Sequence, residues 1–121
     1  MLFRSAEGYA GGELKHGPIA LIDRSMPVVA LAPRVGDYEK IISNLEEIAA
    51  REGRLIGVGD KDDEKLLDLC KHVIPCPQIQ NAFIQAIVST IPLQLFSYYM
   101  AVRRGTDVDQ PRNLAKSVTV E

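Results

Sequence analysis

Short apolar runs and amphipathic stretches alternate along this chain. Pro27-Val28-Val29-Ala30-Leu31-Ala32 is continuously apolar and uncharged, which predicts a strand buried on both faces of a parallel sheet. From Tyr38 to Glu52 the period lengthens. Ile41, Ile42, Leu45 and Ile48 fall on one side, with Lys40, Glu46, Glu47 and Arg51 on the other, the pattern of a helix with one face in a core. Asp37 stands where an N-cap is expected, and Gly53 where a helix ends. Arg54 to Val58 reads as a second strand, and Asp62 to Lys71 as a short helix with Leu66, Leu67 and Cys70 inward. His72 to Ile74 reads as a third strand, stopped by Pro75. Ile79 to about Arg104 is apolar almost all round and reads as a long buried helix. Pro92 inside it should kink it or split it in two.

Strand, helix, strand, helix, strand, helix is the order of an α/β protein: a parallel three-layer αβα sheet with right-handed crossovers, here of about three strands. Binding sites in such sheets gather at the carboxyl ends of the strands. Ahead of the first strand, Ala6 to Pro18 is glycine-rich and reads as a loop or a short helix end. At the other end, Gly105 to Glu121 is too polar and irregular for another packed helix, yet it closes on the β-branched Val118-Thr119-Val120. Such a terminus frays unless something ties it down.

The 121 residues suffice for one domain with a real core. A net charge of -2, with no basic stripe interleaved with aromatics, argues against a nucleic-acid partner. His72 to Val102 contains no Asp, Glu, Lys or Arg, which raises the question of a membrane helix. Gln78, Gln80, Asn81, Gln85, Ser89 and Gln94 interrupt it, however, so no run of about 18 apolar residues exists and no membrane partner is expected. Met1-Leu2-Phe3-Arg4 lacks the pattern of a signal peptide, so the expected location is cytoplasmic. Cys70 and Cys76 do not have zinc spacing and read as two reduced, packed thiols; no metal or cofactor is expected.

Three segments carry candidate chemistry. Gly57-Val58-Gly59 follows a strand as a dinucleotide loop would. It lacks the third glycine, and Asp60, Asp62 and Asp63 would repel a pyrophosphate. Glu13-Leu14-Lys15-His16-Gly17-Pro18 places an acid, a base and a histidine on one glycine-flanked loop. A histidine titrating near neutrality suits proton transfer, although an ordinary charged surface loop would read the same way. Lys116 lies in a tail that could fold back into a cleft. Desolvation there would lower its pKa and let it attack a sugar carbonyl, whereas a lysine left in water would do neither.

Two segments, AEGYAGGELKHGPIALID (Ala6–Asp23) and IPLQLFSYYMAVRRGTDVDQPRNLAKSVTVE (Ile91–Glu121), together with the strand-helix-strand pattern between them, resemble the isomerase domain of the glucosamine-6-phosphate synthases, the isomerizing glutamine–fructose-6-phosphate aminotransferases. The resemblance covers nearly the whole chain. It implies an SIS-type (sugar isomerase), flavodoxin-like fold, with residues 1–121 the carboxyl-terminal portion of the second SIS domain and residues 105–121 a tail that closes the active site. It further implies that Lys116 forms an imine with the open-chain sugar and that the backbone of Ala115 lines that sugar. By the same resemblance His16 helps open the sugar ring, reaching into the site of a neighbouring subunit of a homodimer. The implied substrates are fructose 6-phosphate, converted to glucosamine 6-phosphate, and glutamine, whose ammonia a separate glutaminase domain releases.

The family's isomerisation base lies in a Lys-x-x-Glu helix just upstream of GELKHGP, and its Ser/Thr-rich phosphate loop lies further upstream. Neither is in this chain; Glu7 and Glu13 do not align with that base, and Ser5 is no phosphate loop. The chain by itself is therefore expected to be inactive. Its strand Pro27–Ala32 is expected to be an open edge that self-associates or pairs with a complementary chain. The alternative reading is a non-catalytic SIS domain that binds phosphosugars in a regulatory role.

Overall fold

A computed structural model of the chain describes residues 6–109. Two short 3-10 helices, Gly11–His16 and Pro18–Leu21, precede β1 (Pro27–Ala32), α1 (Tyr38–Ala50), β2 (Arg54–Gly59), α2 (Glu64–Leu69), β3 (His72–Pro75) and α3 (Ala82–Arg103). The sheet is parallel throughout, in the order β1-β2-β3. Val28 lies opposite Leu55, Ala32 opposite Gly59, and Ile56 opposite His72. The α/β reading holds, element for element.

Successive strand residues point to opposite faces; the face toward α1 and α2 carries the main core cluster, and Val58 of β2, 1% exposed, is buried on the other. Val28, Ala30 and Ala32 of β1 and Leu55 of β2 meet Ile42, Leu45 and Ile48 of α1, Leu66 of α2, Cys70 and Ile22. Gly57 and Gly59 let α2 lie close against the sheet. A Cβ on Gly57 would stand 2.9 Å from a Leu66 methyl, and one on Gly59 would stand 2.7 Å from the carbonyl oxygen of Ala32. Asp63 caps α2 by accepting from the Leu66 amide at 3.2 Å, and it also accepts from the Tyr38 hydroxyl at 2.5 Å. One buried carboxylate thus ties the starts of α1 and α2 together. Burial, and then donation to Asp63, holds the Tyr38 hydroxyl well above the ordinary phenol range.

Several expectations need correction. Leu67 is not inward: it is 48% exposed, because α2 turns only Leu66 fully into the core, with Leu69 and Cys70 beside it. The Asp37 side chain does not cap α1; it accepts from Lys40 Nζ at 3.0 Å instead. Past the end of α1 the positive φ falls on Glu52, at 62°, not on Gly53. Gly53 is there for space, since a Cβ would come within 2.7 Å of methyls on both Ile22 and Ile48. β1 is covered on one face only: Val29 is 37% and Leu31 42% exposed. Nor is α3 a buried helix. It runs unbroken past Pro92, and its buried residues are Gln85, Ser89 and Pro92.

Polar bonds hold the start of α3. Asn81 accepts from the amides of Phe83 and Ile84 at 3.0 and 3.2 Å. Gln85, 1% exposed, accepts from the Ile79 amide at 2.6 Å and donates to Pro77 O at 3.2 Å and Ser89 Oγ at 3.1 Å. Replacing Asn81 by alanine removes the cap and should cost about 1 kcal/mol, read as a lower denaturation midpoint at unchanged slope.

Cys70 and Cys76 are buried free thiols. Burial first, and the nearby Asp63 charge second, push the Cys70 thiol up from 9.0 to about 11. A raised folded-state pKa favours folding fully below about pH 9, and that contribution is lost as pH rises from about 9 to 11. Denaturation at pH 8 and pH 10.5 should therefore show a larger alkaline loss in the wild type than in Cys70→Ala. An equal loss in both would contradict this assignment.

Candidate functional site

At the carboxyl edge of the sheet, Ala32 and Gly59 stand side by side, and the chain leaves these strands through Arg34 and Asp60. Arg34 Nη1 lies 3.6 Å from Asp60 Oδ2. The Arg34 amide donates to Gln78 Oε1 at 2.8 Å, and Gln78 Nε2 donates to Cys76 O at 2.8 Å. The Cys76 amide in turn donates to Gly59 O at 2.8 Å. All three loops that follow the strands are therefore pinned to one another. This places a guanidinium at the strand ends, 6.0 Å from the centre of the Tyr38 ring. Neither Arg34 nor Gln78 was singled out from the sequence. The available signal was Arg34's place two residues past an apolar strand.

His16 closes the 3-10 helix Gly11–His16 and is exposed. Gly17 follows with φ 147°, a conformation that side chains rarely adopt, and Pro18 opens the next helical turn. The loop is docked on α1: Lys15 pairs with Glu47 at 2.7 Å, and a Cβ on Gly11 would stand 2.9 Å from the Asn44 amide nitrogen. Gly12, Lys15, Lys40, Ser43 and Asn44 line a shallow depression beside it. Both lysines are engaged there, by Glu47 and Asp37. Among the described residues no hydrogen bond or ion pair joins the His16 loop to Arg34, Asp60 or Gln78. Lys116 and Ala115 lie outside the described residues.

The SIS domain profile matches residues 1–104. The chain belongs to the SIS domain family. Its parallel strands and flanking helices are the SIS-type α/β fold. The solved C-terminal domain of glucosamine-fructose-6-phosphate aminotransferase from Francisella tularensis superposes with a TM-score of 0.74 at 45% identity, over 84% of this chain and 29% of that one. Among curated relatives, the isomerizing glutamine–fructose-6-phosphate aminotransferase of Aquifex aeolicus is 57% identical over 116 residues, and that of Acinetobacter baylyi is 56% identical over the same length. Each match takes in 96% of this SIS chain, which spans 19% of the relative's length.

The chemistry open to this SIS domain follows from what its surfaces offer. His16 presents an imidazole to solvent on a loop fixed at both ends, a geometry suited to a site completed from outside the domain. The strand-end loops offer backbone groups and one cation, Arg34, which Asp60 already balances in part. Among the described residues no group of His, Cys, Asp and Glu could hold a metal ion.

Proposed function

We propose that this chain is the carboxyl-terminal portion of the second SIS domain of an enzyme that makes glucosamine 6-phosphate from fructose 6-phosphate and glutamine. The observation that carries the reading is the 57% identity to the Aquifex aeolicus aminotransferase over 96% of the chain. That span leaves little room for a different activity, and the relatives' shared name favours an enzyme over a purely regulatory phosphosugar-binding domain.

In this reading Lys116, with its amine neutral, attacks the carbonyl of the open-chain sugar and forms an imine as the carbonyl oxygen leaves as water, while the Ala115 backbone lines the bound sugar. His16 acts earlier, in ring opening, by moving a proton between the anomeric hydroxyl and the ring oxygen. Its exposure, and the rigid loop that presents it, support a role in the site of a neighbouring subunit, and hence a homodimer. Ammonia comes from glutamine through a glutaminase domain, and a carboxylate outside this chain moves the proton between neighbouring carbons. A cytoplasmic location is part of the same proposal. Among the described residues no helix is long and apolar enough to cross a membrane.

The test is a chimera in which this chain replaces the matched carboxyl-terminal region of the Aquifex aeolicus relative. It should form glucosamine 6-phosphate from fructose 6-phosphate and glutamine. In the same chimera His16→Asn should lower kcat on the order of 10²-fold with the cyclic sugar. A folded chimera with no amino-sugar product would sink the reading.

A further inference from the structure

The 3-10 helix Gly11–His16 has three residues per turn, so side chains three apart lie one above the other. Gly11 and Leu14 share the first side. Leu14 packs against the core cluster, and a Cβ on Gly11 would stand 2.9 Å from Asn44 Nδ2 of α1. Gly12 and Lys15 share the second side and line the depression against α1. Glu13 and His16 share the third, which is exposed. Past Gly17, Ile19 returns to the core cluster. The imidazole therefore stands on a short exposed stretch between two apolar anchors, Leu14 and Ile19. Apolar packing is non-directional, so it fixes how deep the loop sits but not how the loop is rotated between its anchors. The directional constraint comes from Lys15 Nζ, 2.7 Å from Glu47 Oε1. Asn44 and Glu47 are three residues apart on α1 and so neighbours on its surface. The helix thus meets the loop on two of its three sides and leaves the His16 side open.

We propose that Glu47 is a positioning residue for His16: through Lys15 it sets the direction in which the imidazole is presented to the sugar. The inference rests on the reading of His16 as the group that opens the sugar ring. Lys15 directly precedes His16, so a rotation of the chain at one is passed to the other. Both members of the pair are about half exposed, and exposed ion pairs add little to stability. Geometry is where such a pair matters. Proton transfer needs hydrogen-bond reach, and a misplacement of about 1 Å can lower a rate by as much as 10²-fold. The second ion pair beside this loop provides the contrast. Lys40 and Asp37 meet at 3.0 Å across the start of α1, and neither is bonded to the loop. A general effect of charge on this face would involve both pairs; positioning of His16 involves Glu47 alone.

In the chimera described above, Glu47→Gln should lower kcat with cyclic fructose 6-phosphate on the order of 10-fold, with KM and the melting temperature nearly unchanged. Asp37→Asn should leave kcat unchanged. In the His16→Asn background, Glu47→Gln should cause no further loss, because an effect that passes through His16 is not additive with its removal. Exchanging the pair, Lys15→Glu with Glu47→Lys, should recover most of the lost rate. The chain itself gives a readout that does not depend on activity: the His16 ring resonances should shift in Glu47→Gln and stay in place in Asp37→Asn. Unmoved resonances or an unchanged kcat in Glu47→Gln would overturn the proposal. So would a comparable loss added to that of His16→Asn, a matching fall in melting temperature, or an equal effect of Asp37→Asn. A His16→Asn chimera with undiminished kcat would remove the ring-opening role first and this proposal with it, an outcome distinct from each of the others.

Discussion

Lys116→Arg in the chimera should lower amino-sugar formation on the order of 10³-fold or more, with little change in the KM for fructose 6-phosphate. Arginine keeps a long cationic side chain at that position. It cannot present a neutral nitrogen near pH 7, because the guanidinium stays protonated. The variant thus separates charge from nucleophilicity, and residues acting directly on the reacting carbon give the largest kcat losses. His16→Asn is the counterpart: it should slow ring opening while leaving an imine-competent lysine. A Lys116→Arg enzyme that retained a tenth of its activity would rule out covalent participation.

Leu66→Ala should be the most damaging single truncation in the described core. Leu66 is fully buried, and it fills the space left by the missing side chains of Gly57 and Gly59. Neither the sheet nor the six-residue α2 can close the gap without moving the Asp63 cap that also holds Tyr38. The loss should be about 3 kcal/mol, a large part of the roughly 5–15 kcal/mol typical of a whole domain. Leu67→Ala, one residue on but 48% exposed, should cost less than about 0.5 kcal/mol. Urea denaturation of the two variants checks both values. Similar losses would mean that α2 is rotated relative to this description.

How much of this was legible beforehand depended on what each signal measures. The uncharged run Pro27–Ala32 and the 3.6-residue period of α1 report backbone geometry, and both elements formed where expected. Apolar character does not report what covers a surface. Val29, Leu31 and the exposed Ile84, Ile87, Ile91 and Leu95 of α3 therefore read as core, although nothing within the described residues fully buries them. Leu67 was misplaced because Leu66 and Leu67 are equally apolar, and only the angle at which α2 meets the sheet distinguishes them. Asp37 and Gly53 had the right residue types at the right positions, but a competing lysine claimed one and a packing constraint explained the other. At the site, GELKHGP made the His16 loop conspicuous. The bond from the Arg34 amide to Gln78, by contrast, joins residues 44 apart in sequence and leaves no trace in local pattern. The roles of Lys116 and Ala115 came from family resemblance alone.

Trapping the sugar on the protein tests the central claim most directly. The chimera is incubated with fructose 6-phosphate, reduced with borohydride, digested and mapped by mass spectrometry. The expected result is a single sugar phosphate adduct on the peptide carrying Lys116, absent from Lys116→Arg. An adduct on a different lysine, or none at all while the sugar is still converted, would contradict it.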